Sequence, residues 1–179
     1  MHLEPTPDWQ TEKIELFLLE PQHVGDAYVR WLNDPEINAY LEGRFVTHTV
    51  ESTREFVRSC LENPATLFLG IRMLEGDAQH VGNIKISPID RSHGLGEVGV
   101  LIGERSAWGK GIGSDAISAI SRIAKHQLSL RKLTAGCYES NVGSLKAFEK
   151  AGFEIEATRR DHFILDGRPE GLILMCNWL

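Results

Sequence analysis

The chain has 179 residues, of which 42% are hydrophobic and 25% are charged, a composition typical of one globular domain and not of a disordered or fibrous chain. Its formal net charge is −6 and it has no dense Lys/Arg cluster, so a nucleic-acid partner is not expected and a neutral or cationic partner is favoured. The three cysteines lack metal-ligand spacing, and no apolar run is long enough for a membrane span. We therefore expect one reduced, cytoplasmic domain over residues 1–179, with no metal site and no membrane contact.

The first half of the chain predicts one strand, three helices and then three strands. Alternating apolar residues predict the strand over 13–20, and apolar residues at helical spacing predict the helices. The third helix has Thr49 as its cap and Pro64 beyond its end. Turn-forming segments separate the β-rich runs, which predict an antiparallel meander. The helices are expected over 21–34, 34–41 and 50–62, and the strands of the meander over 66–74, 80–89 and 95–104.

The second half predicts a helix, a strand, a second helix and two final strands. An apolar stripe follows the helix that begins near Ser114, and Gly152 closes the helix over 142–151. Strands are expected over 132–138, near 153–160 and over 170–178. The fold class is therefore α/β in the α+β sense, with a mixed, mostly antiparallel sheet of about seven strands flanked by helices. The free sheet edges of the last hairpin are compatible with a homodimer.

A glycine cluster, "WGKGIGSDA" at 108–116, lies at a strand-to-helix joint. Free backbone N–H groups at a helix start bind anions, and glycines let the backbone approach a diphosphate closely. A capped turn is the structural alternative, because Ser114 and Asp115 are good helix-start residues. The cluster is neither a P-loop, since Lys110 is followed by Gly111, nor the G-x-G-x-x-G of a dinucleotide-binding fold.

A second segment, "YESNVGSLKAFEKAGFE" at 138–154, decides between these alternatives. It carries the pattern N-x-x-S-x-x-x-F-x-K-x-G-F. The two segments, in this order and spacing, resemble the signatures of the GNAT superfamily of N-acetyltransferases, and the strand order agrees along the whole chain. "WLNDPEINAYL", "EVGVLIGE" and "WGKGIG" resemble most closely the branch of ribosomal-protein acetylases. The resemblance implies the single-domain GNAT fold, acetyl-CoA as donor substrate and transfer of an acetyl group to a primary amine.

The resemblance also implies the residues that bind acetyl-CoA. The loop would hold the diphosphate, the strand before it would pair with pantetheine through its backbone, and Asn141 would bond the pantetheine arm while capping its helix. Lys150 would meet a phosphate or complement the helix dipole. The expected cofactor contacts are Val100, Leu101, Ile102, Trp108, Gly109, Lys110, Gly111, Ile112, Gly113, Ser114, Asn141, Ser144, Phe148 and Lys150.

Direct acetyl transfer needs a base for the amine and a proton for the departing thiolate. Glu97 is the predicted general base, with an exposed strand residue as its structural alternative; Glu104 and His93 rank lower. Phe148 stands where many family members have a tyrosine that protonates the thiolate. Ser144, one turn earlier, is therefore the predicted acid, with Tyr138 or solvent as alternatives.

The acceptor is less well defined by the sequence. Residues expected to line its pocket are Trp31, Asn33, Glu36, Tyr40, Asn83 and His93. Amino sugars, protein N-termini, polyamines and aminoglycosides are all candidate amines. A catalytically degenerate domain that binds acetyl-CoA as a sensor is the alternative function, favoured by the missing tyrosine and opposed by the intact loop.

Overall fold

The computed structural model describes residues 3–76 and 78–179 and contains one seven-stranded sheet, in the order β1-β2-β3-β4-β5-β7-β6. Neighbouring strands are antiparallel except β4 and β5, which are parallel. This confirms the mixed, mostly antiparallel sheet predicted from the sequence. The strands are β1 (Ile14–Leu18), β2 (Leu67–Met73), β3 (His80–Asp90), β4 (Leu95–Ile102), β5 (Lys132–Tyr138), β6 (Glu154–Leu165) and β7 (Arg168–Trp178).

Helices cover both faces of the sheet. Three pack on one face, namely α1 (Asp26–Asn33), α2 (Pro35–Asn38) and α3 (Val50–Glu62), and two on the other, α4 (Ile112–His126) and α5 (Val142–Lys150). The face that carries α1 to α3 is called the acceptor face below, and the face that carries α4 and α5 the donor face. No helix in the described part of the chain is long and apolar enough to cross a membrane.

The larger core lies on the donor face. Ile117, Ile120 and Ile123 of α4 are fully buried against inward-facing residues of the central strands. Burial of such a side chain stabilises the fold by about 1.5–3 kcal/mol. The apolar stripe of α4 predicted from the sequence therefore anchors the start of this helix beside the end of β4.

Several segment boundaries differ from the sequence predictions; for example, the second helix, expected over 34–41, spans only Pro35–Asn38. The first helix begins only at Asp26, because Pro21–His23 forms a separate 3₁₀ turn. The last hairpin is longer than expected, since β6 and β7 are joined by Asp166 and Gly167 with φ of +50° and +75°. Such a tight Asp-Gly turn continues the strand pairing on both sides, and β6 tolerates polar residues because it is an exposed edge.

Trp31 belongs to the smaller core on the acceptor face, where it is 4% exposed. Gly103, directly after β4, lies so close to it that an added methyl group would be 2.1 Å from the indole ring. The absence of a side chain at Gly103 thus lets α1 pack on the end of β4.

We predict that Gly103→Ala lowers the free energy of unfolding by about 1–3 kcal/mol, because Trp31 must move out of a packed core. Urea denaturation measures this loss. Gly99→Ala is the matched control, since a methyl group there meets nothing within 4 Å. Equal stability of the two variants would contradict the packing described here.

Candidate acetyl-CoA and acceptor site

Strands β4 and β5 separate part-way along their length. They pair at Leu95–Lys132, Gly96–Leu133 and Glu97–Thr134, and beyond Glu97 no pairing between them occurs. Both strands continue to Ile102 and Tyr138. A V-shaped opening therefore lies between them, with its vertex at Glu97.

The unpaired edge of β4 presents backbone hydrogen-bonding groups to this opening. Gly103 N–H donates to the Val81 carbonyl of the β3 side at 2.9 Å. Because antiparallel pairs alternate between hydrogen-bonded and non-hydrogen-bonded, Val98, Val100 and Ile102 direct their N–H and C=O groups away from β3. Val98 flanks the last pair with β5, Glu97–Thr134, and its N–H takes part in that pairing. The Ile102 carbonyl accepts from Trp108 Nε1 at 2.8 Å.

A cavity of about 1290 Å³ occupies the opening and extends to both faces of the sheet. Its walls include residues 98–102 of β4, residues 136–138 of β5 and residues 107–109 and 111–114 of the glycine loop and α4. Pockets for one small ligand measure about 300–1,000 Å³, so this cavity has room for two reactants.

The glycine loop forms an anion cradle at the start of α4. Gly109 and Gly111 have φ of +73° and +82°, and Gly111 is the N-cap of the helix. A methyl group on Gly111 would lie 3.3 Å from Lys13 Nζ and 3.6 Å from Lys150 Nζ. Two ammonium groups thus meet the helix N-terminus at a position where a side chain would intrude, and this arrangement fits a diphosphate.

A GNAT-type family model, described as "Acetyltransferase (GNAT) domain", matches residues 13–154. The chain belongs to the GNAT acetyltransferase family. It is 28% identical over 162 residues to uncharacterized N-acetyltransferase p20 of Bacillus licheniformis, with 88% of each chain covered. It is 31% identical over 147 residues to the N-acetyltransferase 9-like protein of Caenorhabditis briggsae, covering 78% of this chain and 73% of the relative.

Solved structures confirm the GNAT fold. Spermidine N-acetyltransferase from Vibrio cholerae, solved with CoA and spermine, superposes with a TM-score of 0.83 at 18% identity, covering 94% of this chain and 96% of that one. A ribosomal L7/L12 α-N-protein acetyltransferase solved with CoA gives a TM-score of 0.81 at 16% identity, with the same coverage. The protein is therefore an acetyl-CoA-dependent N-acetyltransferase. Residues 3–76 and 78–179 contain no group of three or more His, Cys, Asp or Glu arranged to hold a metal ion.

The glycine loop of this GNAT enzyme includes Lys110, whose side chain pairs with Glu75 and is not part of the cradle. Lys110 Nζ pairs with Glu75 at 3.2 Å, and the Lys110 carbonyl accepts from Lys13 Nζ at 3.2 Å. Sequence analysis missed Lys13, which no local motif marks because it lies 97 residues from Lys110. The loop contact comes from β1, whose preceding Thr11 donates to Asp115 of α4 at 3.0 Å.

Helix α5 brings the second family signature to the cavity. Asn141 Oδ1 accepts from the Ser144 backbone N–H at 3.1 Å, which is the predicted cap. The Ser144 hydroxyl is half-buried and lies 3.4 Å from Cys137 Sγ. Phe148 is buried against Phe153, with ring centroids 4.9 Å apart, so it serves packing and has no proton to give.

Glu97 is exposed on the acceptor face, and the cavity wall begins at the next residue, Val98. Its side chain shares a face with Gly99 and Leu101, two positions that line the cavity. The alternative base Glu104 instead accepts from Ser106 N–H and caps a 3₁₀ turn. Among the predicted bases, Glu97 is thus the carboxylate at the vertex of the opening.

The predicted acceptor contacts divide into two groups. Glu36, Tyr40 and Asn83 line the cavity. Trp31 belongs to the core, and His93 lies in the exposed turn before β4, where its N–H donates to Asp90 Oδ1 at 3.0 Å. Neither of these two is among the cavity-lining residues, because α1 turns the Trp31 indole into the sheet and the β3–β4 turn extends from the far end of β4. Asn33 does not line the cavity either, and its Nδ2 donates to the His48 carbonyl at 2.8 Å.

Tyr138, the alternative acid, lines the cavity. Its phenol donates to Glu42 Oε1 at 2.5 Å, and its ring stacks on Phe163 at 4.4 Å. Burial, followed by the bond to Glu42, raises the pKa of this phenol. Both Tyr138 and its neighbour Cys137 reach the cavity because the end of β5 has no strand beside it on the β4 side.

We predict that Lys13→Met weakens CoA binding about tenfold. A charge-assisted hydrogen bond contributes about 1.5–3 kcal/mol, and because the Lys13 side chain is exposed, its contribution should lie at the lower end of this range. Isothermal titration calorimetry with CoA measures the change, and the variant should also lose part of the salt dependence of binding. Lys125→Met, on the exposed side of α4, is the control. Equal affinities of all three proteins would contradict the two-lysine cradle.

Proposed function

We propose that this GNAT enzyme acetylates the primary amine of a small molecule, with Glu97 as the general base at the vertex of the opening. One observation carries the proposal: the pairing of β4 with β5 ends at Glu97. The backbone donors of β4 and an exposed carboxylate therefore lie next to each other, the donors inside the opening and the carboxylate on the acceptor face. Acetyl transfer between a donor and an acceptor that bind from opposite faces of the sheet needs backbone donors and a base that lie next to each other at the opening.

The residues that would hold acetyl-CoA are those of the cradle and of the unpaired strand edge. Gly109, Gly111, Lys13 and Lys150 suit its diphosphate, and the backbone of residues 98–102 can pair with the pantetheine arm as an added strand. Bound there, acetyl-CoA supplies an acetyl group activated as a thioester. The Val100 N–H group lies beyond the last pair with β5 and is a fixed hydrogen-bond donor for a carbonyl oxygen. Such a donor stabilises the charge that develops on that oxygen during acyl transfer.

Glu97 would act on the acceptor. An alkyl amine has a pKa of about 10, so it must lose a proton before it can attack a carbonyl carbon. Glu97 lies at the edge of the cavity and is exposed, and it can take this proton directly or through a water molecule.

Ser144 would serve the leaving group. Its hydroxyl has one described side-chain neighbour, the Cys137 sulfur at 3.4 Å, which is a weak acceptor. It is therefore free to donate to a thiolate. Tyr138 is less suited, because its phenol already donates to the Glu42 carboxylate.

A small acceptor is favoured by the way in which the α2–α3 connection crosses the cavity. Tyr40 donates to the Ser140 carbonyl at 3.4 Å, and Glu42 accepts from Tyr138. Arg44 donates to the Ile164 carbonyl at 3.3 Å. These bonds join the connection to the far wall of the opening and narrow the space for a protein acceptor. A protein acceptor is named for a human α/β-tubulin N-acetyltransferase relative and for the ribosomal L7/L12 α-N-protein acetyltransferase structure.

We predict that Glu97→Gln lowers kcat at least 100-fold, the lower range of general-base catalysis, and leaves the CoA dissociation constant within about twofold. Thiol release from acetyl-CoA with a panel of amines measures kcat, and calorimetry measures CoA binding. The residual activity of Glu97→Gln should rise with pH as the free amine accumulates. In the same assay Ser144→Ala should lower kcat more than Tyr138→Phe does.

Equal losses of CoA binding and turnover in Glu97→Gln would mark this residue as structural. Tight CoA binding by the wild-type protein without turnover on any amine would instead favour the sensor function, which the replacement of the family tyrosine by Phe148 suggests. An unchanged kcat in Ser144→Ala would assign the proton to solvent.

A further inference from the structure

The acceptor end of the cavity contains hydrogen-bond donors that have no acceptor in the protein. Lys85 of β3 is half-buried and lines the cavity. The described contact of its ammonium group is the ring of Phe56, 5.8 Å from the centroid, and no carboxylate within the described residues pairs with it. A half-buried cation without a counter-ion is unfavourable until an anion binds beside it.

Asn83 adds a second donor on the same strand and face. It is 4% exposed and lines the cavity two residues before Lys85. His80 Nε2 lies 2.9 Å from both the Gly82 carbonyl and Asn83 Oδ1, so this nitrogen carries the proton and donates to both oxygens. The amide oxygen of Asn83 is thereby occupied, and its NH₂ group is left for a ligand.

Thr53 of α3 supplies a third group. It is 1% exposed, lines the cavity, and its Oγ1 is buried without a hydrogen-bond partner. It lies one helical turn before Phe56, the residue on which the Lys85 ammonium rests. A buried hydroxyl without a partner costs about 1–3 kcal/mol, which a ligand oxygen at this position would recover.

The carboxylates that line this end of the cavity already have partners. Glu36 forms an ion pair with Arg105 at 2.5 Å, and Arg105 also pairs with Asp34 at 2.9 Å. Glu42 accepts from the Tyr138 phenol and pairs with Arg44 at 3.4 Å. Of Lys85, Glu36 and Glu42, Lys85 is thus the charged group without an ion-pair partner among the described residues.

The donors have a fixed position relative to the proposed base. Lys85 is the cross-strand partner of Gly99, and Asn83 that of Leu101. Glu97 precedes Gly99 by two residues on the same face. An acceptor whose amine reaches Glu97 therefore extends along β4 towards Lys85, one two-residue step or about 7 Å away, and Asn83 lies one such step further.

We propose that the acceptor is a small amine that carries an anionic group, a carboxylate or a phosphate, bound by Lys85, Asn83 and Thr53. This inference rests on the proposed function, since it names the acceptor class for the same site. It also predicts that polyamines are poor substrates of this enzyme, whereas the spermidine N-acetyltransferase from Vibrio cholerae was solved in complex with spermine. No free carboxylate other than Glu97 was found near this end of the cavity, within the described residues, to bind a second ammonium group.

The test compares amines that differ only in charge. Thiol release is measured with phenylalanine against phenylalaninamide, with 2-aminoethyl phosphate against ethanolamine, and with spermidine. The wild-type enzyme should favour the anionic member of at least one pair by tenfold or more in kcat/KM, as expected for a charge-assisted bond of about 1.5–3 kcal/mol. The pair that shows the preference identifies the anion as carboxylate or phosphate.

Two variants assign the preference to the named residues. Lys85→Met should bring the anionic-to-neutral ratio close to one, and Asn83→Asp should lower it while keeping the acceptor for His80. Lys125→Met is the control on the outer surface, and unchanged CoA binding by calorimetry shows that the variants are folded.

A wild-type preference for neutral or cationic amines would overturn the inference and leave the proposed function intact, as would an unchanged ratio in Lys85→Met. Absence of turnover with every amine would contradict the proposed function. In that case calorimetric binding of the same amines in the presence of CoA still decides the inference: anionic amines should bind to the wild type and not to Lys85→Met.

Discussion

The early end of the β4–β5 pairing is the constraint on which the site depends. A continuous parallel ladder would satisfy the backbone of Val98, Val100 and Ile102 and would close the sheet. Because the ladder stops at Glu97, the sheet is open in its middle and its two faces communicate. The two large cores keep the strands apart: α4 holds the end of β4 from the donor face, and α1 packs on Gly103 from the acceptor face.

The charged side chains around the cavity also differ between the two faces of the sheet. Lys13 and Lys150 converge on the N-terminus of α4, where the helix dipole also favours an anion. On the acceptor face Glu36 and Glu42 are engaged by Arg105 and Arg44, whereas Lys85 has no ion-pair partner among the described residues. The overall net charge of −6, which favoured a neutral or cationic partner, therefore gives little information about the acceptor site.

Local patterns were sufficient to predict which segments of the chain form the loop, the helix cap and the strand edge beside the cavity. The glycine loop, the Asn141 cap and the strand before the loop depend on residues close together in the chain, and their spacing indicates both structure and ligand. Tyr138 and Thr53 line the cavity, and Lys13 reaches the glycine loop, through tertiary packing, which no single segment encodes. The place of Trp31 depends on packing as well: an aromatic residue at helical spacing fits a core or a pocket, and its close approach to Gly103 places it in the core.

Hydrogen exchange at single backbone amides, measured by NMR with and without CoA, tests the open strand edge most directly. The Val100 and Ile102 N–H groups face the opening, so their exchange should slow when CoA pairs with them. The Leu101 amide, already bonded to β3, should change little. Slowing confined to the glycine loop, or equal slowing at Leu101 and Val100, would contradict the account.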